Sequence, residues 1–291
     1  MVSAFVRASF AILALIAPAL AAPAARSDMV YTPMGLRSAS EVHEVPAGGS
    51  IKHVANEIHL LDAAGKVLHI AQNNATASTS KRSEKPFPSG WTAYTSWYNS
   101  ESNGPINNFV TSWTVPPAPA TNNGQVVFLF NSIEPGSFDS ILQPVLQYGA
   151  SAAGGGAYWS IASWYVGSSS TYYTTLYNVN SGDELTGVIA LSSQSGSSFD
   201  YTSTFSSHPQ AGTLSLTGSA ELVWATETLE CYGITAASDY PSGTTVFNNI
   251  QLTGTGGTPS LSWSVSSDTA DGVTATVNTD GATNGVVTIT Y

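Results

Sequence analysis

Amide and carboxyl side chains recur on strand-like stretches of this 291-residue chain, at positions where they could meet a substrate. Successive side chains of a strand alternate between its two faces. In Ile141 to Tyr148, Leu142, Pro144, Leu146 and Tyr148 therefore share one side, and Ile141, Gln143, Val145 and Gln147 the other. The first set reads as core, so Gln143 and Gln147 face a less apolar space. Pro144 marks an edge position or a bulge. In Glu221 to Glu227, the residues on the side of Glu227 are Glu221, Val223 and Ala225, while Leu222 and Trp224 take the other. A carboxylate exchanges protons with water, and an amide donates hydrogen bonds without titrating. Other chemistries lack their parts. His208 is the only histidine after residue 69 and has no nucleophile motif near it; Cys231 is the only cysteine. No zinc site is expected, and Cys231 reads as a small buried apolar residue.

The charge pattern says where such chemistry would operate. From Pro86 to Tyr291 there is no lysine or arginine, although thirteen of the nineteen acidic residues lie in that stretch. Acid removes stability that rests on ionised, paired carboxylates, so a domain with few such pairs has less to lose. The basic stretch ends beside Lys81-Arg82, a dibasic pair of the kind that secretory processing proteases cut. Residues 1–21, with Arg7, an apolar run and small residues at the exit, read as a signal peptide. Residues 22–82 then read as a pro-segment carrying four of the five histidines and a glycosylation acceptor at Asn74. Its imidazoles would gain charge in acid and could hold it over an acidic cleft, inhibiting in cis. The other reading is a folding aid or a linker. Residues 83–291 carry a net charge of −13, which makes nucleic acid and anionic membrane poor partners. A secreted, extracellular monomer is expected.

The elements that must position these residues are strands. The region after residue 83 is rich in Ser, Thr, Gly, Tyr, Trp and Val, in short runs that alternate apolar and polar residues. Gly154-Gly155-Gly156, Ser181-Gly182-Asp183 and Asp280-Gly281 separate them as turns. A dozen such runs predict an all-β, antiparallel two-sheet β-sandwich of the concanavalin-A-like or jelly-roll type over 83–291. In the pro-segment, Glu57 to Leu61 and Lys66 to Ile70 predict two strands joined at Asp62-Ala63-Ala64-Gly65.

Several short motifs occur in a fixed order: Ser112-Trp113-Thr114-Val115-Pro116, Phe130-Asn131-Ser132-Ile133-Glu134, Ile141-Leu142-Gln143, Ser163-Trp164-Tyr165, Asn180-Ser181-Gly182-Asp183, and Trp224-Ala225-Thr226-Glu227-Thr228-Leu229-Glu230. As an ordered set they resemble the eqolisin-type glutamic peptidases, secreted acid proteases with a two-sheet sandwich. The resemblance spans roughly residues 105–235. It implies catalytic roles for Gln143 and Glu227, with Glu134 as a supporting acid. Glu227 would activate water and later protonate the leaving amine, and Gln143 would stabilise the oxyanion. No cofactor is implied, and the partner would be a polypeptide substrate. Phe130, Trp113, Trp164 and Tyr165 are candidates to line the substrate groove. The chain departs from the family pattern at Phe130, Ser132, Glu134, Ser163 and Pro144, and it lacks the family's disulfides. On the pattern of plant-type relatives, Glu134 and Glu227 would instead form the pair, assisted by Gln143.

Two other functions fit a secreted sandwich. A glycoside hydrolase would draw two carboxylates from Glu221, Glu227 and Glu230 across an aromatic cleft. The odd spacing of Glu227 and Glu230 puts them on opposite faces of a continuous strand. A non-catalytic glycan-binding protein would need only exposed aromatic residues.

Overall fold

The computed structural model describes residues 28–73, 90–100, 103–267 and 269–291. The signal peptide, Asn74, Lys81, Arg82 and the boundary at Ser83 lie outside the described residues. In chain order the strands begin with β1 (Met29–Thr32), β2 (Gly35–Ser38), β3 (Val42–Glu44), β4 (Ser50–Val54), β5 (Glu57–Leu61) and β6 (Val67–Gln72). There follow β7 (Trp91–Tyr98), β8 (Ile106–Thr114), β9 (Val126–Pro135), β10 (Ile141–Ser151), β11 (Gly154–Val166), β12 (Thr171–Tyr173) and β13 (Tyr177–Asn178). Then come β14 (Glu184–Ser195), β15 (Ser198–Phe205), β16 (Thr213–Ser219) and β17 (Leu222–Tyr232). The chain closes with β18 (Thr244–Gly254), β19 (Ser264–Ser267), β20 (Thr274–Thr279) and β21 (Thr283–Thr290).

Two large sheets stack face to face. Sheet I runs β19–β7–β17–β9–β10–β11–β12–β3, with β13 beside β11; sheet II runs β20–β21–β18–β8–β14–β15–β16–β4–β5–β6. The pairings are antiparallel except β3 on β12 and β4 on β16. Those two parallel contacts are where the segment before residue 74 joins the sandwich, one at the edge of each sheet. The expected turn at Asp62 is present: its Oδ1 accepts the amides of Ala64 and Lys66 between the antiparallel β5 and β6.

Sheet II alternates as a half-buried sheet should. In β15, Phe199, Tyr201, Ser203 and Phe205 are buried and the residues between them are partly exposed. The central strands of sheet I differ, because β9, β17 and almost all of β10 are buried at consecutive positions. Sheet I is covered on both faces. Its inner face, with Leu129, Leu142, Leu146 and Leu229, packs on Phe109, Trp113, Phe205 and Phe247 of sheet II. Its outer face holds a second apolar cluster of Trp91, Phe128, Phe130, Val145, Trp164 and Trp224. The β1–β2 hairpin pairs only with itself and packs Tyr31 and Met34 against that outer cluster.

The rest of the N-terminal segment bridges the two sheets. Val45, Ile51, Ile58 and Leu60 enter the inner core. His43 on β3 and His69 on β6 bring their rings to 3.8 Å, joining the β3 edge of one sheet to the β6 edge of the other. His53 on β4 hydrogen-bonds through Nε2 to the Tyr165 hydroxyl at 2.9 Å, again across the sheets. His59 pairs with Glu57. His43 and His69 thus face each other, His53 faces a tyrosine hydroxyl and His59 a carboxylate of its own strand.

Burial, and for His43 the charge of His69, hold His43 and His53 below the ordinary imidazole range. The titratable groups facing them are His69 and Tyr172 around His43, and Tyr165 and Asp139 around His53, the last opposing the downward shift. Lowered folded pKa values mean that this stabilisation is present above the unfolded value of 6.5 and is lost as pH falls through the folded ones. Acidification is expected to raise amide exchange in 42–61 while β10 and β11 stay protected, read by mass spectrometry between neutral pH and pH values below the imidazole range. Equal protection of both regions across that range would contradict the assignment.

Candidate functional site

The outer face of sheet I is built by register. Across β17 and β9 the pairs are Trp224–Glu134, Thr226–Ser132, Thr228–Phe130 and Glu230–Phe128. Between the pairs Leu142–Ile133 and Val145–Phe130, Gln143 falls beside Ser132; on its other side it pairs with Trp164. Gln143, Ser132, Thr226 and Glu134 are therefore neighbours on one surface. Glu134 lies diagonally across from Gln143, a spacing of about 7–8 Å between Cβ atoms that long side chains can close. Ser132 Oγ and Thr226 Oγ1 lie 2.7 Å apart, and Thr226 Oγ1 and Thr228 Oγ1 2.8 Å. Trp91 stacks on Trp224 with centroids at 5.8 Å, and Trp164 packs on Tyr173 at 5.0 Å, forming apolar walls.

Gln143 is fully buried, and among the described residues neither its Nε2 nor its Oε1 has a hydrogen-bond partner. A buried amide left in this way costs about 1–3 kcal/mol per unsatisfied group. The same amide could donate to a carbonyl oxygen brought onto the surface.

Glu227 is elsewhere. It shares the inner face with Ala225, Leu229 and Cys231, between Asn131 on β9 and Thr95 on β7. Thr111 of sheet II donates its hydroxyl to Glu227 Oε1. Oε2 has no partner among the described residues, nor do both side-chain polar atoms of Asn131 or the hydroxyl of Thr95. Gly187 makes room for this polar pocket: a Cβ there would stand 2.4 Å from Asn131 Oδ1 and 2.8 Å from Pro144 Cγ. The expected pairing of Gln143 with Glu227 is thus not formed, because the two point to opposite faces of one sheet. The plant-type pairing of Glu134 with Glu227 fails for the same reason. A register shift between Leu222 and Trp224 separates the parity of Glu221 from that of Glu227. Leu229 and Cys231, two and four residues after Glu227, take the same inward course.

The groove candidates divide in the same manner. Phe130 and Trp164 lie on the outer face. Trp113 and Tyr165 are inner-core residues: Trp113 packs edge-on to Phe205 and Phe247, and Tyr165 holds His53. Trp113 takes the core side of the alternating β8, and Tyr165 the inner side of a stretch of β11 buried on both faces, so both large rings enter the space between the sheets.

Sequence reasoning gave Glu230 a part only in a carbohydrate site. It lies on the outer face, on the side opposite Glu227 as the odd spacing implied. It is fully buried, opposite Phe128 and Trp91, and its Oε1 accepts the Met34 amide at 2.6 Å and the Tyr232 hydroxyl. Burial pushes its carboxyl up to about 7, against the pull of these donors. Burial also raises Glu227 well above the ordinary range, opposed by the Thr111 hydroxyl. Among the described residues no cluster of His, Cys, Asp and Glu could hold a metal ion.

No family model matches the chain, and no curated protein does. Solved structures similar to it include Scytalido-glutamic peptidase with a peptide-based transition-state analogue, at 14% identity and TM-score 0.47 over 70% of this chain and 98% of that one. SCP-B, a member of the eqolisin family of peptidases bound to the tripeptide Ala-Ile-His, is similar at 15% identity and TM-score 0.46 over 70% and 98%. Aspergilloglutamic peptidase from Aspergillus niger is similar at 16% identity and TM-score 0.31 over 57% and 98%.

Both raised carboxyls favour their neutral form in the fold, so their contribution is complete below the unfolded value of 4.5. It is lost as pH rises, for Glu230 through about 7. Each such group steepens the decline by up to about 1.4 kcal/mol per pH unit within its window. Glu227→Gln, which keeps an acceptor for Thr111, is expected to flatten the pH dependence of urea unfolding as pH rises above 4.5. An unchanged slope would show that Glu227 is not titrating there.

Proposed function

We propose that this protein is a secreted acid endopeptidase in which Gln143 and Glu134, on the outer face of sheet I, act on the scissile amide. The observation that carries this reading is the buried, unpartnered Gln143 amide one diagonal step from a carboxyl on an aromatic-walled surface. Glu134, in its carboxylate form, would take a proton from water as the water attacks the carbonyl carbon. Gln143 Nε2 would donate to the developing oxyanion, a role that acid does not titrate away. Glu134 would then pass its proton to the leaving nitrogen. Glu227 has no part in these steps; it is a neutral core acid. The zymogen organisation, with a signal peptide at 1–21, a pro-segment at 22–82 and a cut at Lys81–Arg82, belongs to the same proposal. It is supported by the absence of basic residues after Lys85.

The inward turn of Glu227 favours a second reading, a peptide-binding sandwich that does not cleave. A carbohydrate hydrolase is disfavoured by distance. Glu134 and Glu230 share the outer face, but Glu230 stands opposite Phe128, six residues along β9 from Glu134. That is roughly 20 Å at 3.3 Å per residue, whereas paired glycosidase carboxyls stand about 5–9.5 Å apart.

Digestion of a denatured protein by the acid-treated chain is the test. Gln143→Ala is expected to lower kcat/KM by about 10²–10³-fold, the range for removing one oxyanion donor. Glu134→Gln is expected to cost about 10²-fold or more, and Glu227→Gln to leave the rate near that of the parent. Loss of activity in a folded Glu227→Gln chain would overturn the assignment. Peptide binding without cleavage by the parent protein would select the second reading.

A further inference from the structure

We propose that Glu230, Tyr232 and the Ala152 amide form a peptide-anchoring subsite on the outer face, which Tyr31–Gly35 of the chain itself occupies. This rests on the peptide-substrate reading above and adds to it the kind of sequence that is held away from the scissile bond.

Three contacts fix the segment. Glu230 Oε1 accepts the Met34 N–H at 2.6 Å, the Ala152 N–H donates to the Tyr31 carbonyl at 2.8 Å, and the Tyr31 ring stacks on Tyr232 with centroids at 5.3 Å. Tyr232 donates its hydroxyl to the same Glu230 oxygen, so the aromatic wall and the carboxyl are one unit. One main-chain donor, one main-chain acceptor and one side chain are thereby read, with no charged side chain of the segment involved. The recognition is of peptide main chain plus an aromatic residue.

The segment is docked, not woven into the sandwich. β1 and β2 pair only with each other, whereas β3 to β6 extend the two large sheets. Met34 is held at φ 76°, an unfavourable conformation for a non-glycine residue, which persists where surrounding contacts enforce it. If the chain is cut at Lys81–Arg82, the segment becomes separable from the face it covers. Glu230 and the Ala152 amide would then need other partners. Another peptide with an aromatic residue three positions before a free main-chain N–H has the chemistry to supply them; Pro33 shows that an imide between the two is accommodated. Glu230 on β17 stands opposite Phe128 and Gln143 on β10 stands beside Ser132, four residues further along the intervening β9, so four residues along and two strands across put the anchor roughly 16 Å from the proposed catalytic amide. It would hold an extended substrate about five residues from the bond cut.

The test uses the full-length chain and two readouts of binding. Amide exchange over 29–36 is expected to rise at least tenfold in Glu230→Ala and less in Glu230→Gln, which keeps an acceptor oxygen, while β10 and β11 stay protected. A labelled peptide with the sequence of residues 28–36 is expected to bind the Tyr31→Ala chain, whose own hairpin is loosened. That binding should weaken at least tenfold when Glu230→Ala is added, or when the peptide's tyrosine is replaced by alanine. Unchanged exchange in both Glu230 variants, no peptide binding by a Tyr31→Ala chain with an exchanging hairpin, or binding indifferent to Glu230 would each overturn the proposal. If Glu230→Ala does not fold, Glu230→Gln decides by the same criteria. Neither readout involves hydrolysis: a chain that binds the peptide but digests nothing loses the peptidase reading and keeps the subsite. A chain that digests protein while its binding ignores Glu230 loses only the subsite.

Discussion

The structure depends on the double burial of sheet I. A strand with one wet face sorts its residues by polarity, but β9, β10 and β17 have no wet face. Every polar side chain on them enters one of two interiors, and the larger apolar residues on the same parity decide which. Leu129, Leu142, Leu146 and Leu229 meet sheet II, so their strand-mates Asn131, Pro144 and Glu227 go inward with them. Phe128, Phe130, Val145 and Trp224 form the outer cluster, and Ser132, Glu134, Gln143 and Glu230 go outward with those. The composition of the candidate site is a by-product of this sorting.

The strands that carry these buried carboxyls supply no lysine or arginine, since the chain has none after Lys85. Glu227 relies on the Thr111 hydroxyl, and Glu230 on the Tyr232 hydroxyl and a main-chain amide. These hydroxyl and amide donors favour the ionised form, but burial outweighs them, so both groups hold their protons more tightly. The buried imidazoles of the N-terminal segment respond in the opposite sense, because burial favours neutrality for them too, and for a base that means losing the proton. One cause, the exclusion of water, therefore gives the core and the N-terminal segment opposed responses to acid.

That segment is joined to the sandwich by two different attachments. β3 and β4 complete sheet edges through parallel pairing, and Val45, Ile51, Ile58 and Leu60 fill the inner core. The β1–β2 hairpin adds nothing to either sheet and instead lies on the outer cluster near Glu230. Edge completion removes unpaired strand groups, whereas the hairpin covers a surface whose polar groups point at it.

Much of this was legible along the chain. Alternation and turn residues marked the strands and the two-sheet class, and the hairpin of Glu57 to Leu61 with its partner was read with its turn at Asp62. The parity of Ile141 to Tyr148 placed Gln143 away from Leu142 and Leu146, because those leucines define a core side without ambiguity. The parity of Leu222–Tyr232 was not legible, because apolar residues stand on both of its sides and an irregularity near Val223 breaks the count. Local sequence determined the strands, the charge balance and which residue types were available for chemistry. Only the stacking of sheet II onto one face of sheet I decided that Glu227 is a core acid and that Glu134, Gln143 and Glu230 share a surface. A strand knows its two sides, but which of them meets the other sheet is settled by packing between residues far apart in sequence.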